Sequence, residues 1–273
     1  MIDSHLHTFY SKHAVGSVDE VVQSAIAKGI KIITITDHGP FYIDNNNRLL
    51  DNEMDQYFLD IEQAKNNYVG EIKILAGLEL DYVPGSYGFN KNLISRYDLD
   101  FVIGSIHYIS MPNENSVKVW DLEQLGNIYA LDSYFNILIE LIECGIFDAV
   151  GHVDSLLRAV PEYIFLEYIT PILPLFNTYN ISYELNTSGL RKSMLNLKNN
   201  EKKYNCWSYP SKILIPKLLA HDINFTIGSD AHDPVDVGAG IQEVVHTLKK
   251  SGLREISYFE KRQRIGVSVD FFN

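Results

Sequence analysis

The feature that most constrains this chain is a repeated one. Short apolar or β-branched runs end on a histidine or a carboxylate, and they alternate with segments of helical periodicity. The first run, Met1-Ile2-Asp3-Ser4-His5-Leu6-His7, sets the pattern. Alternate side chains of an extended strand share a face, so His5 and His7 point one way and Leu6 the other. Two imidazoles on one face suit a divalent metal. Lys31 to Thr36 then ends at Asp37-His38, Ile72 to Leu80 carries Glu79, and Phe101 to Ile106 ends at His107. Phe147 to Val150 leads to His152, Ile181 to Leu185 to Asn186, and Asn224 to Ile227 to Asp230 and His232.

The intervening segments read as helices. Ser17-Val18-Asp19-Glu20 has the form of a capping box, with Val21, Val22, Ala25 and Ile26 following at helical spacing and Gly29 as a stop. Met54 to Tyr68 places Tyr57, Phe58, Ile61 and Ala64 on one stripe. Leu131 to Ile142, Pro210 to Leu219 and Val237 to Lys249 are further helical stretches, and Ile265 to Val269 is a strand-like tail. Seven strands alternating with helices predict parallel α/β architecture. A parallel barrel gathers its chemistry at the C-terminal strand ends, whereas an open doubly wound sheet concentrates it at one crevice. Candidate polar groups follow nearly all the strands here, so the expectation is one domain over residues 1–273, a distorted seven-stranded (β/α)7 TIM-like barrel.

Charge and composition narrow the partners. With 23 Lys and Arg against 35 Asp and Glu, the net charge of -12 opposes binding to nucleic acid polymers or anionic membranes. A small anionic substrate is still admissible, because bound metal ions reverse the local field. Cys144 and Cys206 are too few for a disulfide framework and lack zinc-ligand spacing. No uncharged apolar run reaches the roughly 18 residues of a membrane span, and a signal peptide is not expected, since no basic stretch with an apolar one opens the sequence before His5. A cytoplasmic protein is expected, with its oligomeric state open.

The metal-ligand candidates are His5, His7, His13, His38, Glu79, His107, His152, Asp230 and His232. Seven imidazoles and two carboxylates exceed what one ion needs. Any one of them has an ordinary structural alternative as a surface, cap or ion-pair group. Their joint placement at successive strand ends favours a shared site. His221 and His246 fall at a helix end and inside a helix, and stand apart.

The segments His5-Leu6-His7, His13, Thr36-Asp37-His38, Gly77-Leu78-Glu79, Gly104-Ser105-Ile106-His107, Gly151-His152-Val153-Asp154 and Gly228-Ser229-Asp230-Ala231-His232 together carry a family pattern. In that order and over nearly the whole chain, the sequence resembles the PHP superfamily of metal-dependent phosphoesterases. Within it, the chain is most similar to the stand-alone histidinol-phosphate phosphatases. The resemblance implies two or three divalent ions (zinc, manganese or iron) at the barrel mouth. His5, His7, Glu79 and Asp230 would hold one ion, Glu79, His107 and His152 a second, and His13, His38 and His232 a third.

The implied activity is metal-dependent hydrolysis of a small phosphate ester, L-histidinol phosphate foremost, with Glu79, Asp230, Arg158 and Arg191 as the catalytic residues. Arg158 and Arg191 each follow a strand end, where a planar guanidinium can take a phosphate through two parallel hydrogen bonds. A surface salt bridge is the alternative for either. Asp37 and Asp154, each close in sequence to a ligand histidine, are expected to orient imidazoles from behind or to cap turns. Residues 41–55 and 110–121 match no pattern and are expected to border the pocket. Other phosphoesterases of the same superfamily, acting on nucleotides or phosphotyrosine, share these ligands. Amidohydrolases also begin with a strand-borne His-x-His, but their metal-bridging lysine has no counterpart here: Lys31 and Lys73 begin their strands. A non-catalytic metal-binding barrel has no use for two arginines.

Overall fold

The computed structural model describes residues 1–110, 116–120, 128–192, 194–196, 201–203 and 207–272. Cys206 and much of the 110–121 loop lie outside these residues. Seven strands run in one sheet: β1 (Ile2–Leu6), β2 (Ile32–Ile35), β3 (Lys73–Asp81), β4 (Phe101–Ser105), β5 (Ala149–Val150), β6 (Ser182–Asn186) and β7 (Phe225–Gly228). They pair in sequence order, every pair parallel. Nearly every residue of these strands is buried, which is why they read as continuous apolar runs and not as alternating ones.

The sheet curls until β1 meets β7. Two backbone bonds make the seam, His7 N–H to Ala231 O at 2.9 Å and Asp230 N–H to His5 O at 2.8 Å. Asp3 locks it lower down. Its buried carboxylate accepts from the Ser229 N–H (2.8 Å), the Ser229 hydroxyl (2.5 Å) and the Gly238 N–H (2.8 Å). The strands approach so closely that a Cβ on Gly228 would lie 2.2 Å from the His5 Cβ, so only glycine fits there. The barrel is nearly closed, as the alternation of strands and helices predicts.

Helices cover the outside, and the first follows its sequence signal closely. Ser17 and Glu20 form the capping box at the start of Val18–Ala27, and Gly29 adopts φ +71° beyond its end. Met54–Asn67 and Ile128–Glu143 match their expected positions within a few residues. Two helices begin later than the pattern predicts. Ile215–Ala220 starts after a turn in which the Ser211 N–H is bonded to Asp154. Ile241–Lys250 starts only after Gly238 and Gly240, both in the left-handed region (φ +72° and +79°) and unable to continue a helix. The tail strand, Gln263–Ser268, pairs antiparallel with Glu255–Glu260, a partner the sequence pattern does not reveal.

That hairpin stoppers the N-terminal end of the barrel. Phe259 stacks on Phe101 at 5.1 Å between ring centroids and packs with Ile103 and Ala149. Arg262 pairs with Asp148, and Asp100 accepts from the Lys261 N–H, both aspartates lying just ahead of their strands. One apolar cluster runs from Ile2 to Phe272. The opposite, C-terminal mouth is thus the open end. No helix among the described residues is long and apolar enough to cross a membrane.

Asp3→Asn keeps the size of the seam residue but turns an amide N–H toward one of the donors. The expected cost is about 1–3 kcal/mol, that of leaving a buried donor unsatisfied. Urea unfolding should show a lower midpoint at unchanged slope; an unchanged midpoint would remove Asp3 from the closure.

Candidate metal centre and active-site cavity

Glu79 is the hub of the barrel mouth. Its Oε1 lies 2.8 Å from His152 Nε2 and 3.4 Å from His107 Nε2, and accepts from the Ser105 hydroxyl at 2.6 Å. Its Oε2 lies 3.3 Å from His5 Nε2, 3.5 Å from His7 Nε2 and 2.9 Å from His38 Nδ1. Asp230 Oδ1 stands 3.8 Å from His5 Nε2 and 3.3 Å from His7 Nε2. At the outer edge His13 Nε2 and His232 Nε2 are 3.0 Å apart, and the His38 ring stacks 5.2 Å from that of His13. All nine candidate ligands gather at the barrel mouth, but the tightest sets are not the three expected: His38 stands with His7 and His232, and again with Glu79 and His107.

Whether these residues fit metal ions is answered by where their lone pairs point. His13 Nδ1 lies 2.7 Å from the Ser11 carbonyl and His232 Nδ1 lies 3.1 Å from the Asp230 carbonyl. Carbonyls only accept, so both rings carry their proton on Nδ1 and face each other with bare Nε2 lone pairs. His5 Nδ1 is held by Glu184 Oε1 at 2.5 Å and His107 Nδ1 by Asp81 Oδ1 at 2.9 Å, with the same consequence. Ser11 gives its hydroxyl proton to Asp37 at 2.6 Å, so it receives the proton of His7 Nδ1 at 3.1 Å. The Nε2 pairs His5–His7 and His107–His152, 3.0 and 3.2 Å apart, complete the pattern. Facing lone pairs repel unless a cation or a proton lies between them. Among the buried atoms lacking a hydrogen-bond partner are His38 Nδ1 and Glu79 Oε2, close together but misaligned for a bond. The donor set therefore fits divalent ions, with His7, His38 and His232, or His5, His7 and Asp230, or His38, Glu79 and His107 each converging within 4.8 Å.

Charge follows the same geometry. Burial pushes His38 down to about 4, and burial with the neighbouring His232 and His38 rings holds His7 well below the usual imidazole range. Both stay neutral and free to ligate. Burial opposes a charge on His5, yet the Glu184, Glu79 and Asp230 carboxylates raise it well above the usual range. Burial likewise works against Glu79 and Asp230, but the surrounding imidazoles hold both carboxyls well below the ordinary carboxylate range. Ligation of a metal ion through His5 Nε2 would require that nitrogen to be free of its proton.

Two backbone features stand behind this convergence. His152 (φ 27°, ψ 48°) and Asp230 (φ 52°) both occupy positive φ, conformations uncommon for such residues and typical of functional sites. Each follows a strand end, and the turn swings the side chain inward. Gly151 permits this beside β4, where a Cβ would lie 2.4 Å from Ser105 Oγ.

Above the cluster is a cavity of about 410 Å³. His13, His38, Glu79, His107, His152, Asp230 and His232 line its floor, with Trp120, Ser155, Arg158, Lys192 and Tyr209 around them. Arg158 forms no ion pair among the described residues, and its Nε is buried without a partner. Its guanidinium lies 5.3 Å over the Trp120 ring.

The two arginines expected together part company. Arg191 does not line the cavity; its Nη2 donates to the Ser229 carbonyl at 2.8 Å and its Nε lies 3.4 Å from Asp236. It braces the turn that carries Asp230. The two aspartates expected behind the ligands also differ. Asp37 accepts from Thr8 and Ser11 and reaches His7 only through the Ser11 hydroxyl. Asp154 touches no ligand imidazole; it accepts the Ser211 N–H at 2.6 Å and ties the 207–214 segment beneath the cavity.

The acceptors directly behind the ligands are Glu184 and Asp81, which the sequence reading missed. Glu184 Oε2 also accepts the His152 N–H at 2.7 Å, so one carboxylate fixes ligands from two strand ends. Asp81 is clamped in turn by Arg48 at 2.8 Å. Strand alternation carries the signal for both: Asp81 shares a face with Glu79, and Glu184 shares one with Ser182 and Asn186, opposite Tyr183 and Leu185.

The model of the PHP domain matches residues 3–188, more than half of the chain. The chain belongs to the PHP domain family. It is 27% identical to a probable histidinol-phosphatase of Deinococcus radiodurans, over 97% of this chain and 98% of that one. A histidinol-phosphatase of Bacillus subtilis is 26% identical over 86% and 95%. In structure it resembles the histidinol phosphate phosphatase of Lactococcus lactis, solved with zinc, L-histidinol and phosphate: TM-score 0.78, 22% identity, and coverage of 97% and 98%. The PHP barrel is thus shared with that enzyme.

Glu184→Gln replaces one acceptor by an amide N–H, so either His5 or the His152 N–H loses its partner. Loss of such an outer partner typically lowers metal affinity about 10–100-fold. Competition against a chromogenic chelator measures this, with far-ultraviolet circular dichroism as the control for folding; wild-type affinity in a folded variant would assign Glu184 a purely structural role.

Proposed function

We propose that this PHP protein, acting as a single domain, is a metal-dependent phosphomonoesterase that hydrolyses L-histidinol phosphate to L-histidinol and phosphate. The observation that carries the phosphatase reading is Arg158, a half-buried guanidinium with no carboxylate partner among the described residues, facing a cavity floored by seven ligand-type side chains. An uncompensated cation in a partly buried site is costly unless an anion joins it. The names of the full-length relatives support the choice of ester.

Divalent ions held by the three groupings would supply Lewis acidity and lower the pKa of a coordinated water toward neutrality. The protein's own groups do the rest. Glu79 presents one oxygen to His107 and His152 and the other to His5, His7 and His38, which fixes the spacing of the groupings. Arg158 takes non-bridging phosphate oxygens through parallel N–H donors and offsets charge that builds as the ester bond breaks. Trp120, lying against the guanidinium, keeps water from one side of it and so strengthens that attraction. With Lys192, Arg158 makes the cavity rim positive on a chain whose net charge is -12.

Phosphate release by zinc- or manganese-loaded protein should favour L-histidinol phosphate over adenosine monophosphate, phosphotyrosine and 4-nitrophenyl phosphate by orders of magnitude in kcat/KM. Comparable slow turnover of all four removes the substrate assignment and keeps the phosphatase. Glu79→Gln should abolish turnover in a folded protein. Arg158→Ala should cost about 10²–10³-fold in kcat/KM, with Arg158→Lys recovering only part, because lysine lacks the planar fork. Full activity in Arg158→Ala would exclude the clamp.

A further inference from the structure

The cavity over the ligand cluster adjoins a second one of about 280 Å³. His13, His38, His107 and Trp120 belong to the walls of both, so the two are lobes of one depression. The lobes differ in charge. Apart from the ligand candidates, the first offers only the cations Arg158 and Lys192. The second is walled by Asp44, Asn47, Arg48, Tyr108 and Lys118. Arg48 is already engaged with Asp81, both side chains buried, which leaves Asp44 as the carboxylate that faces this lobe.

Asp44 is held firmly. Tyr108 Oη donates to its Oδ2 at 2.5 Å and Asn47 Nδ2 to its Oδ1 at 2.6 Å. Its backbone sits at φ 57°, ψ 52°, a conformation that a non-glycine residue adopts uncommonly and that clusters where a fold positions a functional group. Among the described residues its carboxylate pairs with one cation, Lys118, 3.4 Å from Oδ2 and 38% exposed, while Arg48 donates to its backbone carbonyl. A rim pair of that kind is worth little and is readily exchanged.

We propose that the second lobe is the leaving-group subsite and that Asp44 is its specificity-determining residue, selecting an alcohol that carries a positive charge. The inference rests on the phosphatase reading, which sets the phosphate against Arg158 in the first lobe. The alcohol then extends away from Arg158, past Trp120 and His107, which wall both lobes, into the second lobe. There an ammonium or imidazolium group takes the place of Lys118 on Oδ2, beside the faces of Tyr108 and Trp120. A leaving group bearing further phosphates meets a like charge and is rejected.

The test compares kcat and KM for L-histidinol phosphate and 4-nitrophenyl phosphate in wild-type, Asp44→Asn and Lys118→Met proteins. Asp44→Asn should cut the preference for L-histidinol phosphate about tenfold or more, through KM, the scale of one charge-assisted hydrogen bond. Lys118→Met removes the ammonium that competes for Oδ2 and should raise the preference through a lower KM, which separates recognition from displacement of the loop. An unchanged preference in Asp44→Asn overturns the proposal, and so does an equal loss in Lys118→Met. Wild-type protein that cleaves 4-nitrophenyl phosphate but not L-histidinol phosphate defeats the substrate reading alone. The subsite is then judged on phosphoethanolamine against ethyl phosphate, with the same loss expected in Asp44→Asn.

Discussion

The structure depends on imidazole lone pairs made to face one another. Three Nε2 pairs stand 3.0–3.2 Å apart in the barrel mouth. That arrangement is unfavourable in the absence of a cation, and folding alone would not choose it. It persists because at least five of the rings are pinned from behind at Nδ1 by an acceptor that fixes tautomer and orientation together. Carboxylates do this for His5 and His107, backbone carbonyls for His13 and His232, and a serine hydroxyl for His7. The acceptors are nearly as much a part of the site as the ligands.

Barrel closure and the metal centre are one construction. The bonds joining β1 to β7 come from His7 and Asp230, and Asp3 fastens the same seam two residues before His5. Glu184 reaches from β6 to ligands on both sides of it. The hairpin at the opposite end fills the barrel floor with Phe259 and leaves the C-terminal mouth open. An acidic protein thereby presents one locally positive opening, which is what a phosphate ester requires.

The strand order, the barrel and the nine converging ligand candidates were legible in the sequence, because each rests on short-range rules. Strand alternation put His5 with His7, and turns at the strand ends put histidines in reach of the mouth. The Ser17 capping box and the Gly29 stop are equally local and were placed correctly. The late starts of the last two helices depended on glycine conformation and on a distant acceptor for the Ser211 N–H, neither of which periodicity records.

What only the tertiary structure decided is which polar groups are already taken. Arg158 and Arg191 look alike in the sequence, each just past a strand end. In the fold, the Ser229 carbonyl and Asp236 claim Arg191, while Arg158 finds no carboxylate among the described residues and turns to the cavity. Asp154, beside a ligand in the chain, serves Ser211, and Glu184, 179 residues from His5, holds its ring. The sequence by itself determined the kinds of side chain delivered to the barrel mouth. Their assignment depended on long-range competition for a limited number of hydrogen bonds, which local spacing does not encode.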